Sequence, residues 1–237
     1  MRGYALCGEP RSGTTFLREA IASTGMLGHP YEWFHPRFQE QLGKGEDLLD
    51  MMLARTASAN GVYGLKIFSV HALVAERLRW ATRLPNLSFV HITREDLLDQ
   101  AISLARAVQT SRYQAGEDEA RPAAYDRRQI TAALKEIARG QARWSVWFAT
   151  HGIRPLSISY DEIVREPESV VARIAGLVGV EDARIDWSKV SGRVMRDDMS
   201  ADWKQRYLAE AGSADRIAEL EDGSPKGIAR SVLRALR

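Results

Sequence analysis

The most informative stretch of this sequence is Gly8-Glu9-Pro10-Arg11-Ser12-Gly13-Thr14-Thr15. It follows the apolar run Tyr4–Cys7 and leads into a helical segment that begins at Phe16. The spacing of its two glycines matches the G-x-x-x-x-G loop, in which main-chain N–H groups at the start of a helix bind a phosphate or a similar anion. A strand, this loop and a helix in succession therefore predict an anion-binding site at the end of the first strand.

The loop departs from a nucleoside-triphosphate loop at one position. Thr14 stands where such a loop has a lysine that contacts the β- and γ-phosphates, and the positive charge is found instead on Arg11. The later run Leu87–Thr93 leads to Arg94 rather than to an acidic Mg²⁺ ligand. These differences argue against ATP hydrolysis and favour a donor that needs no metal. A tight glycine turn without a ligand is the alternative interpretation.

Strands and helices alternate along the rest of the chain. Apolar residues at helical spacing predict one helix over about residues 126–150 and another after Pro167, which suits the first position of a helix. The pattern predicts an α/β fold, a P-loop-type, mostly parallel sheet with helices on both faces. The predicted strands are the four short apolar runs Tyr4–Cys7, Tyr63–Phe68, Leu87–Thr93 and Leu156–Tyr160.

Composition limits the class of protein. The 237 residues suit one domain over 1–237, and the formal charge of +2 is too small to indicate a nucleic-acid partner. The single cysteine, Cys7, cannot form an internal disulfide, and no apolar run reaches the roughly 18 residues that a membrane span needs. We therefore expect a cytoplasmic protein with no transmembrane segment.

Two polar or basic segments have alternative interpretations. Residues 112–125 contain Gly116, Pro122 and an acidic run, and they are either a mobile flap over a site or a solvated loop. Residues 224–237 mix basic and apolar side chains. They are interpreted as a C-terminal basic helix, which either lies at an interface or docks on its own domain.

Several motifs together resemble a known family. The loop from Pro10 to Thr15 resembles the 5′-phosphosulfate loop of sulfotransferases, and further motifs are similar to the bacterial branch with trehalose, nodulation-factor and lipopolysaccharide sulfotransferases. These motifs are Gly28-His29-Pro30-Tyr31-Glu32-Trp33-Phe34, Thr93 through Thr110, Ser159-Tyr160-Asp161-Glu162-Ile163, and Arg196 through Tyr207. The likeness extends over roughly residues 3–210.

The resemblance implies a donor, 3′-phosphoadenosine-5′-phosphosulfate (PAPS), and the residues that bind it. Arg94 and Ser103 correspond to the pair that binds the 3′-phosphate, although Ser103 also suits plain helix packing. Tyr160 either contacts the adenine or is a buried structural residue, and Arg193 or Arg196 adds positive charge. The residues implied for the 5′-phosphosulfate are Arg11, Ser12, Gly13, Thr14 and Thr15, with Arg11 near the bridging oxygen; a surface arginine paired with Glu9 is the alternative.

A general base must take the proton of the acceptor hydroxyl. Glu32 is the favoured residue, because it occupies the Pro-x-Glu-aromatic-Phe pattern of the branch, and its aromatic neighbours would raise its pKa by desolvation. His35 is the competing catalytic residue, as is His29, since animal sulfotransferases commonly use histidine. Lys66 near the end of the second strand either steadies the sulfuryl group or acceptor, or reaches solvent.

Function and partners remain partly open at this stage. The resemblance implies a carbohydrate acceptor or a glycolipid headgroup, no metal, and relatives that can form homodimers. A small-molecule kinase is the first rival function, since its fold and loop are related. A catalytically silent nucleotide-binding protein is the second. Dependence on ATP and Mg²⁺ would favour the kinase, and donor binding without turnover would favour the silent protein.

Overall fold

The computed structural model describes residues 1–40, 47–111, 122–191 and 198–210. The strands are β1 (Arg2–Gly8), β2 (Val62–Phe68), β3 (Leu87–Thr93) and β4 (Leu156–Ser159). The α-helices are α1 (Thr14–Ser23), α2 (Pro36–Gln39), α3 (Leu48–Thr56), α4 (Ala72–Arg77), α5 (Trp80–Arg83), α6 (Leu97–Thr110), α7 (Arg127–Thr150), α8 (Tyr160–Arg165), α9 (Pro167–Leu177) and α10 (Asp198–Glu210). Two short 3₁₀ turns span Ser69–His71 and Trp187–Lys189.

The strands form one parallel sheet in the order β2-β1-β3-β4. The first strand lies inside the sheet, and the chain moves from it to β2 on one side before crossing to β3 on the other. Ligands in open parallel sheets bind where the strand order reverses in this way, at the carboxyl ends of the strands. The residues after β1 and β3 therefore lie at the expected binding edge.

Each face of the sheet packs against helices, and β1 contributes to both cores. Tyr4 and Leu6 pack with α1 and α9, whereas Ala5 and Cys7 pack with α3 and α7. All four side chains are fully buried. This alternation is what a central parallel strand requires, because both of its faces are covered. The predicted P-loop-type parallel sheet with helices on both faces is confirmed.

The end of the fourth strand differs from the prediction. A strand over Leu156–Tyr160 is wrong at its last residue, since β4 ends at Ser159 and Tyr160 begins α8. The reason is a capping box: the Ser159 N–H donates to Glu162 Oε2 at 2.6 Å, and the Glu162 N–H donates to Ser159 Oγ at 3.2 Å. These bonds stop the strand before the aromatic residue.

Both predicted helices are confirmed. The Asp126 side chain caps α7 by accepting from the N–H groups of Arg128 and Gln129, and Pro167 opens α9. No helix within the described ranges is long and apolar enough to cross a membrane. The chain separates into two compact units, Met1–Arg196 and Asp197–Arg237, of which the second is described only for α10.

Some predictions fall partly or wholly outside the described residues. Residues 112–121 of the predicted flap lie outside them, as do the predicted basic helix 224–237 and both Arg193 and Arg196. The remainder of the flap, residues 122–125, is irregular chain leading to α7. The single domain over 1–237 stays a prediction.

Candidate active site

The loop between β1 and α1 has the backbone of an anion-binding turn. Two of its residues have left-handed backbone angles, Arg11 at φ 65° and Gly13 at φ 80°. Ser12 is buried, and its hydroxyl donates to the Glu9 carbonyl at 2.7 Å. The turn leads directly into α1, whose first N–H groups have no partner within the helix and point toward the loop.

Gly13 is required at its position for two reasons. Its φ of 80° suits glycine, and a Cβ added there would lie 3.0 Å from Cδ2 of Tyr160. Tyr160, only 9% exposed, therefore packs beneath the loop. Its predicted contact with adenine stays a prediction, and its packing against Gly13 is a structural role.

Three residues implied for donor binding come together at this loop. Arg11 Nε donates to Ser103 Oγ at 2.9 Å, and Arg94 Nη1 donates to the Arg11 carbonyl at 3.3 Å. The Arg94 guanidinium also lies 4.3 Å from the centre of the Tyr160 ring and 3.5 Å from Asp99 Oδ2. Two guanidinium groups and a hydroxyl thus come together at Arg11, in the loop that precedes α1.

Ser103 contacts a different arginine from the one that the resemblance implies. The resemblance pairs it with Arg94 on a 3′-phosphate, whereas its hydroxyl bonds to Arg11, which is 92 residues away in sequence. Within the described chain, the buried Nε of Arg94 has no hydrogen-bond partner. A buried N–H without a partner leaves a donor available for an anion.

The predicted base forms an ion pair with the lysine of the second strand. Lys66 Nζ lies 2.6 Å from Glu32 Oε1, and the side chains are 6% and 23% exposed. Because the lysine is buried and paired, it fixes one oxygen of the carboxylate. The other oxygen, Oε2, is oriented by the same contact and can accept a proton.

The chain on either side of Glu32 explains its fixed position. Tyr31 forms a parallel bridge with Leu65, and its carbonyl accepts from the Lys66 N–H at 2.9 Å. Trp33 and Phe34 are buried in the core that covers this side of the sheet. Glu32 is therefore held between a short bridge to β2 and two anchored aromatic residues.

A histidine that the sequence motifs do not identify, His71, lies beside this pair. Its ring is 5.4 Å from that of His35, edge to face, at the turn that follows β2. The pKa of His71 is lowered, mainly because burial disfavours the charged ring and further because His35 is close, whereas Glu32 opposes the shift. Only its place immediately after a strand could have indicated it. His29 is exposed, with its main-chain N–H bonded to Thr56.

The site thus has two halves at one edge of the sheet. Arg11, Arg94 and Ser103 surround the loop after β1, and Glu32 and Lys66 lie at the neighbouring strand β2. The first half can bind a dianion, and the second can take a proton. No group of three or more His, Cys, Asp or Glu that could hold a metal occurs among the described residues.

Comparison with known proteins places the chain in context. It matches the family model described as Stf0 sulphotransferase over residues 3–63 and 41–210. It is 28% identical to the trehalose 2-sulfotransferase of Mycobacterium tuberculosis (strain ATCC 35801 / TMC 107 / Erdman), over 89% of this chain and 96% of that protein. The trehalose 2-sulfotransferase of Mycolicibacterium smegmatis (strain ATCC 700084 / mc(2)155) is 26% identical, over 88% of this chain and 95% of that protein. A sulfotransferase structure from Alicyclobacillus acidocaldarius gives a TM-score of 0.49 at 15% identity, covering 88% of this chain and 92% of that one.

Proposed function

Because the chain belongs to the Stf0 sulphotransferase family and is a sulfotransferase, we propose that it moves a sulfuryl group from PAPS to a carbohydrate hydroxyl, with Glu32 as the general base. The supporting observation is that an anion-binding loop follows β1 while an ion-paired carboxylate lies beside Lys66, in the C-terminal half of the adjacent strand β2. An anion donor and a base are what sulfuryl transfer to a hydroxyl needs.

The residues around the loop fit a donor with two anionic ends. Thr14 and Thr15 begin α1, where main-chain N–H groups and the helix dipole favour a phosphosulfate. Arg94, with its buried unpartnered Nε in the described chain, suits the separate 3′-phosphate. PAPS would supply the activated sulfuryl group.

In the proposed reaction, the acceptor oxygen forms a bond to sulfur while the bond from sulfur to the bridging phosphate oxygen breaks. The acceptor proton goes to Glu32 Oε2, and adenosine 3′,5′-bisphosphate leaves. Arg11 places positive charge at the loop, where the departing oxygen becomes negative. Lys66 holds Glu32 by its other oxygen and so aims the base. Each group acts at an atom that gains or loses charge.

The acceptor proposed is a sugar, and trehalose is the first compound to test. The two relatives are named as trehalose 2-sulfotransferases, and they align with nearly the whole chain. Tyr31, beside Glu32, is 41% exposed, and the Arg18 guanidinium lies over its ring at 4.9 Å from the centre. The exposed part of the ring can offer a flat surface to a sugar. A glycolipid that carries the same sugar headgroup would present the same hydroxyl.

The experiment compares Glu32→Gln with the wild-type enzyme, using labelled PAPS and trehalose beside other sugars. We expect the transfer rate to fall by about 10²-fold or more, the usual scale for loss of a general base. Binding of adenosine 3′,5′-bisphosphate, measured by thermal shift, should stay within about twofold, because Glu32 is outside the loop. Glu40→Gln is the matched control, since Glu40 is exposed.

Three results would contradict parts of this proposal. Near-normal turnover in Glu32→Gln, with loss of turnover in His35→Asn, would move the base to His35. Stabilisation by ATP and Mg²⁺ but not by the bisphosphate would favour the kinase. Bisphosphate binding without transfer to any acceptor would favour a silent binding protein.

A further inference from the structure

Glu9 is a buried acid that the proposed reaction does not use. It follows β1 and begins the anion-binding loop, yet the residue is only 5% exposed. Its Oε1 accepts a hydrogen bond from the main-chain N–H of Ser69 at 3.3 Å, sixty positions further along the chain. The residue therefore connects the loop after β1 with the turn after β2.

Helix α7 is shaped to leave room for this side chain. Gly140 lies against the Glu9 carboxyl, and a Cβ added there would be 2.2–2.4 Å from its atoms. One turn further on, the Trp144 indole N–H donates to the Gly8 carbonyl at 3.0 Å. The Glu9 carboxyl thus packs directly against the backbone of α7 at Gly140, where no larger residue would fit without displacing it.

Both ends of this link lead to the active site. On the loop side, the Glu9 carbonyl accepts from Ser12, next to Arg11. On the other side, Ser69 opens the 3₁₀ turn Ser69–His71. A shift of Glu9 would therefore move the donor loop relative to the turn that carries His71.

We propose that Glu9 is a positioning residue, whose side chain sets the spacing between the anion-binding loop and the turn Ser69–His71. This inference rests on the proposed function, because the loop belongs to the donor side of the reaction and the turn carries His71, which lies near Glu32 and His35 on the acceptor side. A misplacement of about 1 Å between reacting groups lowers rates by as much as about 10²-fold. A rigid link between the halves is therefore useful to catalysis.

The electrostatics support a role for the side chain itself. Burial raises the pKa of Glu9 to about 7, although hydrogen bonds from Ser69 and the charge of Arg143 lower it, and Glu136 raises it further. Arg143 bonds to both neighbours, at 3.5 Å to Ser69 Oγ and 2.9 Å to Glu136 Oε1. A buried carboxyl is unfavourable for folding, so a neutral apolar residue would serve packing better.

The test adds a methyl group at Gly140 and compares it with a matched helical glycine. Gly140→Ala must displace the Glu9 carboxyl, whereas Gly176→Ala in α9 meets nothing within 4 Å. We expect kcat for sulfuryl transfer to fall about tenfold or more in Gly140→Ala. Binding of adenosine 3′,5′-bisphosphate should stay within about twofold, and Gly176→Ala should match the wild type.

A double-mutant cycle identifies Glu9 as the residue through which Gly140 acts. Glu9→Ala should lower kcat as Gly140→Ala does, and the double variant should be no slower than Glu9→Ala, because the shorter side chain leaves room for the methyl group. Glu9→Gln keeps the shape and an acceptor oxygen, so it should restore kcat. Three results would overturn the proposal. They are a wild-type kcat in Gly140→Ala, losses in kcat that add in the double variant, and a kcat in Glu9→Gln as low as in Glu9→Ala.

A second readout does not depend on turnover. The pKa of His71 is lowered mainly by burial, so a displaced turn should expose the ring and return this pKa toward the ordinary histidine value. We expect this change in Glu9→Ala and Gly140→Ala but not in Gly176→Ala, measured by NMR with the His71 signal assigned from His71→Gln. An unchanged His71 titration would also overturn the inference. Absence of transfer by the wild type, with these shifts present, would contradict the proposed function alone.

Discussion

At the scale of single residues, burial makes Glu9 a proton-binding group near neutral pH. Its pKa is about 7, against an ordinary value of 4.5, so the folded chain holds a proton that the unfolded chain releases. The free energy of unfolding should therefore decrease as the pH rises from about 4.5 to about 7, and stay lower above that range. The shift corresponds to about 3 kcal/mol.

This linkage predicts the effect of Glu9→Gln on stability. The amide cannot ionise, so the variant should gain stability relative to the wild type at pH 8 by up to about 3 kcal/mol, and much less at pH 5. Urea unfolding of both proteins at the two pH values measures this. An equal difference at pH 5 and pH 8 would show that the carboxyl does not titrate in this range. Glu40→Gln serves as the exposed control.

At the scale of elements, α6 supports the loop by two side chains on one face. Gln100 is fully buried, and its Nε2 donates to the Pro10 carbonyl at 2.7 Å. Ser103, three positions later, binds Arg11. Consecutive residues of the loop are therefore held by one turn of α6.

This support predicts that Gln100→Leu weakens donor binding. The substitution leaves the Pro10 carbonyl without its hydrogen bond. The binding conformation of the loop should therefore be destabilised by about 1–2 kcal/mol, the usual loss for an unsatisfied buried group. We expect the Kd of adenosine 3′,5′-bisphosphate to rise about five- to thirtyfold. Isothermal titration calorimetry of both proteins with the bisphosphate measures this Kd. Gln109→Leu on the same helix should bind as the wild type does, because the Gln109 side chain bonds to Gln129 and to the Ala124 N–H and not to the loop.

Elements defined by local patterns were predictable, whereas long-range contacts were not. The loop after β1 follows from glycine spacing, and α7 from apolar periodicity and Asp126. The bond between Arg11 and Ser103 joins residues far apart in sequence, and no local pattern encodes which arginine the serine meets. The contacts of Glu9, which the sequence offers only as a partner of Arg11, and the place of His71 are unpredictable for the same reason, since they arise only when β1, β2 and α7 come together.

At the scale of the compact unit Met1–Arg196, the two cores share the strands β1, β2 and β3, which contribute buried side chains to both. Ile174 of α9 is fully buried on one face, whereas Trp80 and Trp144 are buried on the other. Because β1 contributes side chains to both, we expect the faces to unfold together. Ile174→Ala should lower the free energy of unfolding by about 2–5 kcal/mol.

Circular dichroism and tryptophan fluorescence measure this coupling in a background with Trp187→Phe and Trp203→Phe. Trp187 bonds to Glu168 of α9, on the face of Ile174, whereas the four remaining tryptophans belong to the core on the other face. Both signals should shift to the same lower urea midpoint in Ile174→Ala, although the substitution lies across the sheet from Trp80 and Trp144. A shift in circular dichroism with unchanged fluorescence would mean that the two faces unfold separately. Leu177→Ala in the same helix, at a residue 37% exposed, is the milder control.

The position of Cys7 on β1 makes its thiol a probe of how often the central strand unfolds. The thiol is fully buried beside the loop, burial raises its pKa, and it is the single cysteine of the sequence. A thiol reagent can therefore react only in molecules whose central strand has opened, and the labelling rate counts those openings. A donor analogue that binds the loop should slow labelling in proportion to its affinity. The labelling rate of Cys7 then reports the occupancy of the donor site, without a sugar acceptor and without any substitution in the chain.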